Sequence, residues 1–339
     1  MTPHDPAHPL PDANRRLARL AWLLVWFVGA VILFGAVVRV TGSGAGCGVH
    51  WPTCQGEVFH LPRRLETAIE LFHRVTSGLS FLGVVALGVV FARQLPRGHA
   101  ARRWATWAIL FIVVESLIGA VLVLYGLVVG DRSVARAFMV PVHLANASLL
   151  MASLVLAARA ATHPVSISTL FRASESKWCQ VLLGGLLVTS MLGAVTALGD
   201  TLFPPDARLG VSERLFLDQG TRAHFLERMR IVHPAVALLV SGLTIRLALG
   251  VRLDPSQSAE TRRLSTSIAA VTAVQVAAGT LNVWLRAPAP MQIVHLGFAL
   301  ALFCLVVLLW AQLGEQEERS SHAKPSTQPR PSKSPITAP

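Results

Sequence analysis

Four histidines stand where this chain could do chemistry. His73, His143, His233 and His295 each open a long apolar stretch. An ionisable side chain inside such a stretch is expensive to bury and marks a functional position by default. One buried imidazole is readily explained as a hydrogen-bond partner for a neighbouring helix. Four at equivalent depth suit a flat metallated ring that takes one axial nitrogen from each side, as haem iron does. Glu70 lies three residues before His73 and projects from the same helix face. A carboxylate at mid-membrane costs roughly 2.5–3.5 kcal/mol and less near the interface. Its plain role is to bond an imidazole or an arginine; its sharper role is chemistry on whatever sits beside His73. Arg39, Arg74, Arg230 and Arg286 are candidates for holding porphyrin propionates, or else interfacial anchors. Cys47 and Cys54 share a Gly-rich loop and read as a disulfide or a redox-active pair on the oxidising side of a membrane. A metal site drawing in His50 or His60 is the alternative, though the spacing fits no common zinc pattern. Cys179 and Cys304 read as lone buried thiols.

The elements that must position these groups are membrane helices. The chain is 53% hydrophobic with mean hydropathy +0.55, and 14% of its residues are charged, against about a quarter in soluble domains. Eight apolar segments, at 20–40, 67–92, 104–128, 139–160, 178–199, 229–250, 265–286 and 290–313, reach the roughly 20 residues that span a bilayer. Continuous apolar runs without alternation select helices over a barrel. The net charge of +12 points to lipid headgroups, not nucleic acid, because the arginines flank the segments. Arg15, Arg16 and Arg19, then Arg93, Arg97, Arg102 and Arg103, then Arg159, Arg172 and Lys177, then Arg246, Arg252, Arg262 and Arg263 fall on one side. The positive-inside rule makes that side, with both termini, cytoplasmic. The opposite loops mix arginine with Asp131, Asp200, Asp206, Glu213, Asp218 and Glu227. The first segment is too long for a signal-peptide core and lacks a small-residue cleavage site, so it is expected to stay.

The chain also repeats itself at a spacing of about 160 residues. Gly35-Ala36-Val37 returns as Gly193-Ala194-Val195, and His73 as His233. Glu115 and Gly119 return as Gln275 and Gly279, and Val142-His143-Leu144 as Val294-His295-Leu296. Four segments repeated as four give parallel halves related by an axis along the membrane normal. The expected fold is an all-α polytopic membrane protein whose eight transmembrane helices form two pseudo-symmetric four-helix bundles. Its parts are a cytoplasmic segment at 1–19, a first bundle at 20–160, a linker at 161–177, a second bundle at 178–313 and a disordered tail at 314–339. All four histidines then lie near the outer face, two per bundle. The second half carries Arg230 where the first carries Glu70. That asymmetry suggests a reacting first bundle and a second bundle that carries a fixed cofactor. Pro141, Pro234 and Pro290 fall at segment starts, where proline is tolerated.

The run Arg39-x-Thr41-Gly42-Ser43-Gly44-x2-Cys47-x3-Trp51-Pro52-x-Cys54-x-Gly56 resembles the first outer loop of haem A synthases, bacterial and mitochondrial, and Glu70-x2-His73-Arg74 resembles their second-helix signature. With the four histidines and the repeat, the resemblance covers residues 20–313. It implies an oxidoreductase of the bacterial inner membrane that oxidises the C8 methyl of haem O to a formyl group, giving haem A for cytochrome c oxidase assembly. It implies that His73 and His143 flank the substrate haem and that His233 and His295 ligate haem b; the asymmetry of the halves makes Glu70 the catalytic candidate, and Cys47 and Cys54 are expected to form a disulfide. A haem O synthase and oxidase assembly factors are the implied partners. The chain departs from the pattern in having no cysteine at 200–228, Pro234 after His233, and Glu115 where relatives tend to have Gln. Two rival readings are a di-haem b-type membrane electron carrier, which has no need of Glu70, and a transporter, which predicts helix breaks at mid-membrane in both halves.

Overall fold

A computed structural model describes residues 12–58, 61–172, 176–204, 208, 210–216 and 224–323. Residues 1–11, His60, Asp206, Asp218 and the tail from 324 lie outside the described residues. The helices, in chain order, are α1 (Asp12–Val40), α2 (Leu65–Gln94), α3 (Ala100–Leu124), α4 (Val134–Ala160), α5 (Ile167–Arg172), α6 (Lys177–Leu202), α7 (Val211–Phe216), α8 (Phe225–Arg228), α9 (Val232–Leu253), α10 (Ala259–Trp284) and α11 (Ala289–Ala323). Among the described residues, eight spans are long and apolar enough to cross a membrane: α1, α2, α3, α4, α6, α8 with α9, α10 and α11. Their outward faces carry exposed Leu20, Leu23, Trp26, Leu79, Leu82 and Leu238, the surface expected against lipid.

Several boundaries differ from the sequence expectation, each for a local reason. Helix α4 begins at Val134, well before 139, because Ser133 caps it by accepting from the Arg136 amide at 3.2 Å, while Asp131 holds the Ser133 hydroxyl at 2.6 Å. Pro141 therefore lies inside α4 and not at its start. The sixth span breaks between α8 and α9, where Pro234 lacks the N–H that would reach back to residue 230. Helix α11 continues to Ala323, ten residues past the expected end at 313. Its extension is held by a network: Arg159 donates to both carboxylate oxygens of Glu315 at 2.9 Å, Gln312 donates to Glu260, and Gln316 donates to Thr261. The linker is likewise structured. Leu170 of α5 is fully buried, and its carbonyl accepts from the Trp310 indole at 3.0 Å.

Helices α1, α2, α3 and α4 pack in a closed ring, each on the next, and α6, α9, α10 and α11 do the same. The rings meet where α4 packs on α6 and α11, and α1 packs on α11. These contacts fit the repeat, since α1 corresponds to α6 and α4 to α11. The core is uneven along the membrane normal. At the end away from the disulfide loop, Ala21, Ala101, Ala105, Ala157 and Ala158 let the helices close tightly around Phe91, Leu154, Leu170 and Val307. At the loop end the rings still touch, where Ala137 packs with Leu198 and Leu226, but the interior around the histidines stays open.

Candidate functional site

A single cavity of about 1400 Å³ runs through the loop end of both rings, lined by all four histidines, Glu70, Glu115, Arg39 and Arg136 among others. Pockets for one drug-sized ligand run about 300–1,000 Å³, so this one has room for more than one large ligand. His73 stands two turns into α2, which puts its ring below the mouth of the first ring and not at the helix end.

Each histidine leans on a glycine of the preceding spanning helix. A Cβ at Gly35 would stand 3.2 Å from the His73 ring, and one at Gly119 would stand 3.9 Å from His143. The corresponding distances are 2.9 Å for Gly193 against His233 and 2.9 Å for Gly279 against His295. Both glycine repeats visible in the sequence thus have one cause: they admit an imidazole against helix backbone. Sequence reasoning found these glycines but not their purpose, although they recur at the same spacing as the histidines.

The ring partners differ between halves. His233 Nδ1 is 3.1 Å from the Thr189 carbonyl, and Gln275 Nε2 is 3.3 Å from His295 Nε2. In the first half, Glu115 Oε1 stands 3.1 Å from His143 Nδ1, off the axis of a hydrogen bond, and Glu115 Oε2 accepts from Asn146 at 2.6 Å. Glu115 therefore packs beside an imidazole at the position equivalent to Gln275.

These residues would suit a haem-type group held between imidazoles. The centroids of His233 and His295 are 6.3 Å apart with their planes at 87°. Two imidazoles holding one metal in line have centroids roughly 6 Å apart, because each nitrogen stands about 2 Å from the ion. The Nδ1 atoms of His73, His143 and His295 are buried without a hydrogen-bond partner, a state that costs about 1–3 kcal/mol unless something binds. Among the described residues, no three His, Cys, Asp or Glu side chains converge on a bare-ion site. Two imidazoles suffice for an iron that brings its own four equatorial nitrogens.

Glu70 is 3% exposed and both its oxygens are engaged. Oε2 accepts from the Cys47 amide at 2.7 Å, and Oε1 accepts from Arg74 Nε at 3.0 Å and from Nη2. Arg74 also donates to the Thr53 carbonyl at 2.6 Å and to the His50 carbonyl. Cys47 and Cys54 are joined, with Cα atoms 4.5 Å apart. Thr67 Oγ1 donates to the Gly46 carbonyl at 2.9 Å, and Gly46 packs against the α2 backbone at Glu66, where a Cβ would stand 2.6 Å from it. The disulfide loop is thereby clamped as a lid over the first histidine pair.

The arginines sort themselves. Arg74 is committed to Glu70 and the loop. Arg230 donates from Nε to Asp200 at 2.8 Å and from Nη2 to the Phe203 carbonyl. Arg39 crosses from α1 to the other half, donating to the Ala197 carbonyl at 3.0 Å, Thr201 Oγ1 at 2.9 Å and Gln292 Oε1 at 2.8 Å. Arg286 lines the cavity with backbone φ of 64°. The structure adds Arg136, a cavity-lining side chain 6% exposed, which sequence reasoning missed because it lies upstream of the expected start of its helix.

An eight-span helical membrane protein with a shared cavity and two histidine pairs defines the class. The family model described as COX15-CtaA, cytochrome oxidase assembly protein, matches residues 18–307, and the chain belongs to that family. It is 47% identical over 299 residues to a protohaem IX farnesyltransferase of Thermus thermophilus, covering 87% of this chain and 48% of that protein. It is 40% identical over 96 residues to a haem A synthase of Alkalihalophilus pseudofirmus, covering 28% of this chain and 32% of that one. A haem A synthase of Halalkalibacterium halodurans is 41% identical over 96 residues, again 28% and 32% of the two chains. The chain spans about half the length of the Thermus relative and about a third of the others.

Proposed function

We propose that this protein is a haem A synthase, which oxidises the C8 methyl of haem O to a formyl group. The observation that carries this reading is the single carboxylate clamp: two matched histidine pairs share one cavity, and only the first has an acid like Glu70 on its helix face. His73 and His143 hold the substrate, with Gly35 and Gly119 admitting their rings. The disulfide lid excludes water from the reacting edge. The Glu70 carboxylate, fixed by Arg74 and the Cys47 amide, keeps its negative charge oriented where positive charge develops on the methyl carbon. Both its oxygens are already bonded, which favours charge stabilisation over taking a proton.

His233 and His295 would hold haem b, which supplies one-electron redox capacity when bound. Residues 20–160 are then the reacting half, 178–313 the cofactor half and 161–177 their connection. The protein lies in the bacterial inner membrane with both termini cytoplasmic and the sites near the periplasmic face, as the arginine distribution supports. A haem O synthase and oxidase assembly factors are its working partners. The first is supported by the Thermus relative, a farnesyltransferase of protohaem by name, of which this chain matches one half.

A di-haem electron carrier would use both histidine pairs equally and would need Glu70 only as a clamp on the loop. Co-expression with a haem O synthase in cells that make no haem A tests the choice. Haem A should appear in the extracted haems only when this chain is present; its absence while the chain is folded and haem-loaded would favour the carrier.

A further inference from the structure

The charged side chains lining the cavity do not balance. Glu70 is paired with Arg74, and Asp200 with Arg230. With Glu115 and Arg286 also in the lining, five arginines, at 39, 74, 136, 230 and 286, stand against three acids, at 70, 115 and 200, among the described residues, and Arg39 feels the charge of Arg136 and, less strongly, that of Asp200. The hydrogen bonds of Arg39 go to neutral acceptors only. Arg136 donates from Nη1 to the Asp131 carbonyl at 2.9 Å, and its buried Nε has no partner. The Asp131 carboxylate is occupied by the Ser133 amide and hydroxyl. The Arg136 charge acts on Arg39 more strongly than the Asp200 charge does, and Arg136 has Asp131 as its one nearby counter-charge among the described residues; excess positive charge in a space walled by apolar helices is costly. An anion between them relieves both.

Their positions say which anion. Arg136 lies two turns before His143 on α4, on the same face and roughly 10 Å along the axis. Arg39 lies one turn beyond Gly35, the residue that admits the His73 ring. Arg136 therefore stands above the first histidine pair, toward the lid, and Arg39 stands beside it at the seam, its guanidinium reaching across to α6 and α11. The repeat has no counterpart in the second half: the equivalent positions are Ala197, whose carbonyl Arg39 uses, and Pro288.

We infer that Arg136 and Arg39 form a carboxylate clamp that binds the propionates of the porphyrin held by His73 and His143, fixing which edge of the ring faces the lid. This rests on the reading that a porphyrin occupies the first half. Flat rings can be seated between two imidazoles in several rotations, and the two charged carboxylates at one edge give a directional way to select among them. A bidentate guanidinium does so with two directional bonds per carboxylate.

The test is a binding titration of the purified full chain, carrying its second-half haem, with haem O and with haem O dimethyl ester, followed by absorbance. Wild type should bind the free diacid at least tenfold more tightly than the ester. Arg136→Gln should lose that preference by weakening diacid binding about tenfold or more, while Arg136→Lys retains part of it. The second-half haem spectrum should stay unchanged in both variants, which checks the fold. If Arg136→Gln prefers the diacid as strongly as wild type, the clamp is wrong and the reading of function stands. If His73→Ala binds haem O as tightly as wild type, the porphyrin is not in the first half, and both fall.

Discussion

At the residue scale, Glu70 carries two separable jobs, clamp and charge. Glu70→Gln keeps the size and an acceptor for the Cys47 amide but removes the charge opposite Arg74. The expected outcome is a normally assembled protein with an unchanged b-type spectrum and at least a 100-fold loss of haem A formation, in the range lost with charged catalytic groups. Haem extracted from equal amounts of protein measures it, and a wild-type yield would reduce Glu70 to a clamp. Glu70→Ala also strands Arg74, a loss of roughly 3–5 kcal/mol for a broken buried pair, which should appear as protease sensitivity of the loop around Cys47–Cys54. Those two cysteines should resist alkylation in isolated membranes until a reductant is added; full labelling beforehand would contradict the structural disulfide. The Glu70–His73 face was legible from helical spacing alone. The bond from Glu70 to the Cys47 amide was not, because it joins residues 23 apart through a loop whose path no local pattern encodes.

At the element scale, the helices differ in how closely they approach the imidazoles, and the glycines make this measurable. Ala normally stabilises a helix interior over Gly by roughly 0.5–1 kcal/mol. Gly119→Ala, with its Cβ 3.9 Å from His143, should therefore be neutral or slightly stabilising. Gly193→Ala and Gly279→Ala place a Cβ 2.9 Å from a ring atom and should cost about 1–3 kcal/mol as overpacking, with the b-type spectrum broadened or lost. Thermal denaturation and the low-spin absorption of the four variants, Gly35→Ala included, give the comparison. Equal behaviour at positions 119 and 193 would remove the glycines from the account. Hydropathy alone revealed eight spans because lipid demands about 20 apolar residues in each. Their ends were harder to read. The Ser133 cap starts α4 early, and Arg159 and Glu260 hold α11 helical beyond 313, where composition suggested a loose tail. The Ser133 cap is local, but the contacts at the α11 end join residues 52 and 156 apart, so polarity by itself misleads there.

At the scale of the whole molecule, an internal repeat has placed two similar sites in one cavity, and charged positions that the halves do not share have made them different. Glu70, Arg39 and Arg136 in the first half correspond to Arg230, Ala197 and Pro288 in the second. The first contrast was legible by laying one half on the other. The arginine pair was not, since its meaning depends on Arg39 reaching across the seam to α6 and α11. The division of labour between the halves is the central claim, and paired histidine variants test it most directly. The reduced-minus-oxidised spectrum of purified His73→Ala and His233→Ala proteins should be recorded beside the haems extracted from cells that co-express a haem O synthase. His233→Ala is expected to lose the low-spin b-type signal. His73→Ala should keep most of that signal while making no haem A. A His73→Ala protein that loses its b-type haem, beside a His233→Ala protein that retains it, would contradict the assignment of the two halves.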